Sequence, residues 1–210
     1  MKPSKSVFFF ILWVFVLPVS AYVTIKLFQN KYEKLPVYKT PSKDNLLKHI
    51  GEYHFINQDD KPLGQQDWDN KILVVDFFFT HCLSICPKMT SGINGLSKVF
   101  VDDSTIRFAS FTVDPNNDSS QQLKKYSLHL GLNMKYWNLI TGNKKDIYKL
   151  ARNAFNVVAT DGDGGPEDFI HSDQVVLVDA DKNIRGYYDG TKPGDIKKLL
   201  HDIKKLKNEN

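Results

Sequence analysis

An α/β fold, a central mixed sheet flanked by helices and preceded by one membrane-length apolar segment, is predicted from three observations. Residues 72–80 (ILVVDFFFT) form a near-continuous β-branched and aromatic run, the composition of a strand buried on both faces. Such runs alternate with segments whose apolar residues recur at helical spacing. Residues 174–188 then place two short apolar runs around the polar turn 179–183, the pattern of an antiparallel hairpin.

The first element is apolar throughout. From residue 7 to residue 25 there is no charge, a stretch long enough to cross a hydrocarbon core of roughly 30 Å as a helix. Lys2, Lys5 and the amino terminus precede it, and a basic flank stays cytoplasmic, so the rest of the chain is expected on the far side. Val19, Ser20 and Ala21 also resemble a signal-peptidase site, which leaves two readings, an uncleaved anchor or a signal peptide, with the length favouring the anchor. The expected organisation is a cytoplasmic N-terminus at 1–6, the transmembrane anchor or signal peptide at 7–28, a tether rich in Lys, Pro, Ser and Asn at 29–45, a folded domain at 46–206 and a tail at 207–210.

Within the domain, 52–57 reads as a short strand and 58–64 as a polar turn, and 72–80 is taken as the central strand. Met89, Ile93, Leu96, Val99 and Phe100 place a helix directly after Pro87. A second buried strand, 106–113, ends at Asp114 and Pro115. Ser119 and Gln122 have capping-box spacing for a helix running to about Leu130. Residues 137–141 form a third short strand, and Asn143 caps a helix through Phe155. A glycine-rich acidic loop spans 156–172, the hairpin follows, and Ile196, Leu199, Leu200, Ile203 and Leu206 mark one face of a closing lysine-rich helix.

Composition narrows the function classes. Hydrophobic residues are 41% and charged residues 25%, the balance of a folded domain, which excludes a polytopic membrane protein and a disordered chain. A net charge of +4, scattered along the chain, gives no basis for nucleic-acid binding, and none is expected. Two cysteines exclude a disulfide-stapled scaffold, so any thiol chemistry belongs to Cys82 and Cys86.

Both thiols lie where the strand 72–80 gives way to a helix, with Pro87 suited to the first helical turn. The positive end of a helix favours the thiolate, the form that binds metals and attacks disulfides. Two soft sulfur donors four residues apart suit Cu(I), and one added imidazole makes a site able to hold Cu(II). Zinc also accepts Cys and His donors. Three residues intervene between the cysteines, so the pair is not the Cys-x-x-Cys of thioredoxin-type redox enzymes. Among the six histidines, His49, His129 and His201 lie in polar helical settings expected to be exposed, and His54 lies in an edge strand. His81 adjoins Cys82, and neighbours in extended chain point to opposite sides. His171 ends the acidic loop, where the residues alone leave it either a third ligand or an exposed loop histidine.

The ordered set Thr80-His81-Cys82, Ile85-Cys86-Pro87, Thr112-Val113-Asp114-Pro115 and His171-Ser172 resembles the Sco/SenC copper-delivery proteins over roughly residues 50–206. That resemblance implies a thioredoxin-like fold on a single membrane anchor, copper held by Cys82, Cys86 and His171, and a part in assembling the copper centre of cytochrome c oxidase. It also implies the copper-accepting subunit of a cytochrome oxidase as partner, a thioredoxin-like reductant that keeps the thiols usable, and a single-pass, bacterial-type location with the domain periplasmic. Leu83 and Ser84 stand where the family often has Pro-Asp, and Ile170 where it often has Asp; neither difference removes a ligand. The rival expectation is a thiol-disulfide oxidoreductase in which Cys82 and Cys86 reduce the acceptor's cysteines and His171 is dispensable.

Two other features carry less. Asp161-Gly162-Asp163-Gly164 opens like a calcium loop, but Gly165 and Pro166 break the spacing, which leaves a flexible acidic surface loop. The lysines of the last helix read as the solvated face of a packed helix in preference to an anionic-membrane or acidic-partner surface.

Overall fold

The computed structural model describes residues 9–32, 34–38, 50, 52–157 and 172–209. The apolar N-terminal segment is helical: a π-helical stretch, Leu12–Val16, continues into α1, Leu17–Tyr32. None of the 18-residue window Phe9–Lys26 is buried against the rest of the chain.

A seven-stranded mixed sheet follows, in the order β2-β1-β5-β4-β3-β6-β7. Its strands are β1 (Phe55–Asn57), β2 (Pro62–Leu63), β3 (Ile72–Phe78), β4 (Ile106–Thr112), β5 (Trp137–Thr141), β6 (Gln174–Val178) and β7 (Ile184–Asp189). β3, β4 and β5 run parallel, while β1, β6 and β7 join antiparallel. The run expected to be the central strand is interior and buried at all seven residues, but β4 holds the middle of the sheet. The turn expected at 58–64 contains β2, because Asn57 Oδ1 accepts the Asp59 and Lys61 amides and folds the chain back onto β1.

Alternation along β3 explains why both faces are covered. Leu73, Val75 and Phe77 enter one core with Phe111, Tyr148 and Phe155, whereas Ile72, Val74 and Phe78 enter another with Ile93, Leu199 and both cysteines. The second face carries α2 (Cys86–Val99), α3 (Ser120–His129) and α5 (Pro193–Lys207); the first carries α4 (Lys144–Lys149) and its π-helical continuation Leu150–Ala154. Asn143 caps α4 as expected, its Oδ1 accepting the Lys145 amide. Only half of the expected capping box forms at α3. Ser119 accepts the Gln122 amide, but the Gln122 side chain donates to Thr80 instead of returning to the cap.

Residues 34–38, within the stretch 29–45, lie against the domain. Tyr38 bridges Ile184 of β7, Leu35 is buried beside α5, and Arg185 donates to the Leu35 and Pro36 carbonyls at 2.7 and 3.1 Å. Composition hides this strap, since its anchor is a main-chain ladder contact and a distant arginine. The pairings Leu73↔Val178 and Val178↔Ile184 put it at the end of the sheet opposite the cysteine turn. The acidic loop lies outside the described residues from 158 to 171, as does 39–49.

Candidate metal centre

β3 ends at Phe78, and the chain turns through Thr80 and His81 before α2 opens at Cys86. One carboxylate holds that turn. Asp118, fully buried, accepts the Thr80 amide at 3.0 Å, the Thr80 hydroxyl at 2.5 Å and the Thr112 hydroxyl at 2.5 Å. Asp114, the end of strand β4 in the sequence pattern, serves as the turn expected of it, its carbonyl accepting the Asn117 and Asp118 amides. Asp118 sits in a polar run of Asn and Asp that gives no sign of burial, so sequence patterning overlooked it.

The two thiols are free and buried, Cys82 at 7% and Cys86 at 2% exposure. Cys82 precedes the helix, yet its sulfur turns back to accept the Cys86 amide at 3.4 Å, and Ser84 Oγ lies 3.8 Å away. No side chain of Ile85 caps the helix, so the Cys82 sulfur takes one of the first-turn amides. Burial pushes the Cys82 thiol up, but hydrogen bonds from Cys86 and Ser84 outweigh it and leave the thiol at about 7, below its ordinary 9.0. Cys86 goes the other way. Burial, the hydrogen bond to Cys82 and the charges of Cys82 and Asp76 push it up to about 12.

Asp76 is the one charged residue in the run 72–80, and it shares the cysteine face of β3 with Val74 and Phe78. Ser110 Oγ donates to its Oδ1, and Trp137 Nε1 donates to Ser110 Oγ at 2.9 Å. Burial pushes its carboxyl up to about 7, opposed in part by the Ser110 bond. A lone charge inside an otherwise apolar strand was the sequence signal that could have marked it.

His81 points away from Cys82: its side chain is 65% exposed, with Nδ1 3.2 Å from Thr80 Oγ1 and 4.0 Å from Asp118 Oδ1. His54, His129 and His201 are exposed as well. His171 and His49 lie outside the described residues, as does the 161–166 stretch. Among the described residues no group of three or more His, Cys, Asp or Glu side chains could hold a metal ion. Cys82 and Cys86 are thus brought together as a two-donor site that needs a further donor for three-coordination.

A family model described as SCO1/SenC matches residues 41–208 of the chain. The SCO1 protein homolog of Bacillus subtilis (strain 168) is 30% identical over 164 residues, covering 77% of this chain and 84% of that protein. The solved structure of BsSco, described as a member of the Sco family of cytochrome c oxidase assembly proteins with a disulfide switch, superposes with a TM-score of 0.63 at 29% identity, covering 75% of this chain and 92% of the other. Arabidopsis thaliana ScoI, solved with copper bound, shares the fold at a TM-score of 0.59 and 23% identity, covering 75% of this chain and 97% of its own.

Proposed function

The chain belongs to the SCO1/SenC family, with its thioredoxin-like fold, and from that premise we propose that it is a membrane-anchored, extracytoplasmic copper metallochaperone. Cys82, Cys86 and His171 take up one copper ion and pass it to the copper-accepting subunit of a cytochrome oxidase. The observation that carries this reading is the pair of free, buried thiols joined at a helix start, one of them ionising near neutral pH. Sulfur donors of this softness favour Cu(I), and metal affinity rises with the fraction of thiolate present. Cys86 keeps its proton until an arriving cation displaces it. His171 supplies the third donor and lets the site hold Cu(II). BsSco's description as an assembly protein and the copper held by the Arabidopsis relative support the reading.

The apolar helix supports a single-pass anchor, with the lysines at 2 and 5 on the cytoplasmic side and the domain outside, periplasmic in a bacterial envelope. In such a compartment thiols oxidise, so a thioredoxin-like reductant is the second partner.

The split acidity of the thiols favours one further reading, a thiol-disulfide oxidoreductase. The Cys82 thiolate would attack a sulfur of the acceptor's disulfide and release one acceptor thiolate. Cys86 would then attack the Cys82 sulfur and release the other, leaving Cys82–Cys86 oxidised and the acceptor reduced by two electrons. Anaerobic titration of the reduced full chain in detergent with Cu(I), then Cu(II), separates the two. The chaperone reading expects one copper per chain and a thiolate charge-transfer band, with His171→Ala binding at least ten-fold more weakly at an unchanged rate of disulfide exchange. Copper binding indifferent to His171, beside fast exchange, would leave the oxidoreductase.

A further inference from the structure

A groove of about 750 Å³ runs beside the cysteine turn, between the first turns of α2 and α5. We propose that it seats a polypeptide segment of the partner that exchanges copper or disulfide with Cys82, an apolar side chain filling the groove and a carboxylate meeting Lys88 and Lys197. This rests on the exchange reading above and adds where the partner is gripped.

Its volume is in the range of sites that take a few side chains. Pro87, Pro193 and Ile196 give it apolar walls, and among the described residues its only charges are Lys88 and Lys197. Both lysines are exposed, neither is ion-paired among the described residues, and the lining holds no carboxylate. An opening elsewhere, over Asp59 and Lys124, differs in that these two charges satisfy each other. Two lining glycines let the elements around the groove pack closely: a Cβ on Gly92 would lie 3.0 Å from Ile196 Cδ1, and one on Gly190 2.8 Å from the buried Met89 Cγ and Val175 Cγ2 beneath it. The lining begins at Pro87, the residue next to Cys86 in the first turn of α2. In that turn Leu83 is 96% exposed, an apolar side chain with nothing of its own chain to cover it among the described residues. An unpaired positive rim around a concave apolar floor fits a protruding, acidic polypeptide segment better than the flat face of a bilayer.

The test uses the full chain in detergent carrying Cys86→Ser, so that the mixed disulfide of Cys82 accumulates. The probe is the soluble copper-accepting domain of the oxidase subunit with its cysteines oxidised; the Cys82 thiolate bonds to one sulfur, the S–S bond breaks, and the other sulfur leaves as thiolate. Lys88→Glu with Lys197→Glu, and separately Ser91→Trp at the exposed groove mouth, are expected to slow trapping at least ten-fold. Reaction with neutral 4,4′-dithiodipyridine should stay within two-fold of the parent, which checks that the thiol and the fold are intact. Trapping at the parental rate in both groove variants would overturn the groove and leave the exchange function standing. A parent that reacts with dithiodipyridine but never with the domain would overturn the groove proposal together with the disulfide-exchange reading, and leave the copper site to the titration above. Groove variants that lose binding to phosphatidylglycerol vesicles, or lose self-association, while trapping normally would assign the groove to a membrane or a second copy and overturn the proposal.

Discussion

Cys82 is held at about 7 because its sulfur accepts hydrogen bonds from Cys86 and Ser84, whereas burial first, and then the hydrogen bond to Cys82, push Cys86 up to about 12. Only the thiolate is nucleophilic. Alkylation of the reduced, metal-free chain should therefore go to Cys82 alone, its rate rising as pH climbs through about 7 and levelling above 8, with the site read by mass spectrometry. A midpoint near 9 would mean that the sulfur does not accept those bonds. Asp118 acts one step back by fixing the turn that carries Cys82. Asp118→Ala strips the acceptor from Thr80 and Thr112, which should cost about 1–3 kcal/mol in denaturant unfolding. Copper affinity should fall about 10–100-fold in a competition titration, the usual effect of removing a group that positions a ligand. Asp118→Asn, which keeps acceptor capacity, should lose less on both counts.

At the scale of elements, the cysteine helix is located by what it packs on. Its first turn approaches the loop after β7 so closely that Gly190 has no room for a methyl group. Gly190→Ala should destabilise the chain by about 1–3 kcal/mol, as overpacking does, and slow copper loading by displacing the first turn of α2. Gly194→Ala, in open space within the first turn of α5, should be neutral or stabilise by up to about 1 kcal/mol. Comparison of denaturant midpoints for the two variants checks both. The elements themselves were legible from periodicity and caps: the apolar run of β3, the cap residues Ser119 and Asn143, and the hairpin turn where Asp179 Oδ1 accepts the Asn183 amide at 2.8 Å. The cysteine pair was legible for the same reason, as both members lie in one local motif. What escaped depends on partners far along the chain. The Gln122 side chain chose Thr80, 42 positions away, over its own cap, and the burial of Asp118 is conferred by Thr80 and Thr112.

For the whole molecule, the strap decides how the domain joins the apolar helix. Arg185 is buried between Asp179, at 3.1 Å, and Glu209, at 2.5 Å, and it holds the Leu35 and Pro36 carbonyls, while Glu209 also accepts the Leu35 amide at 2.8 Å. α1 ends at Tyr32, so the chain leaves the helix and docks almost at once at the pole opposite the cysteines. A seven-residue strand such as β3 spans roughly 20 Å, and the thiols stand that far beyond the docked pole. Arg185→Met leaves the buried Asp179 carboxylate and the partly buried Glu209 carboxylate without their cation and should cost about 3–5 kcal/mol. Adding Glu209→Gln should recover part of it. Amide exchange at Leu35 and Tyr38 should rise at least ten-fold in Arg185→Met even where the sheet stays protected; unchanged exchange would mean that the ladder contact at Ile184 holds the strap without the clamp.

Copper K-edge absorption of the full chain in detergent, loaded anaerobically with one equivalent of Cu(I), tests the proposed centre most directly. Two sulfurs and one nitrogen are expected around each copper, the nitrogen lost in His171→Ala and a sulfur lost in Cys86→Ser. A copper with two sulfurs whose nitrogen survives His171→Ala, or one with no sulfur at all, would contradict it.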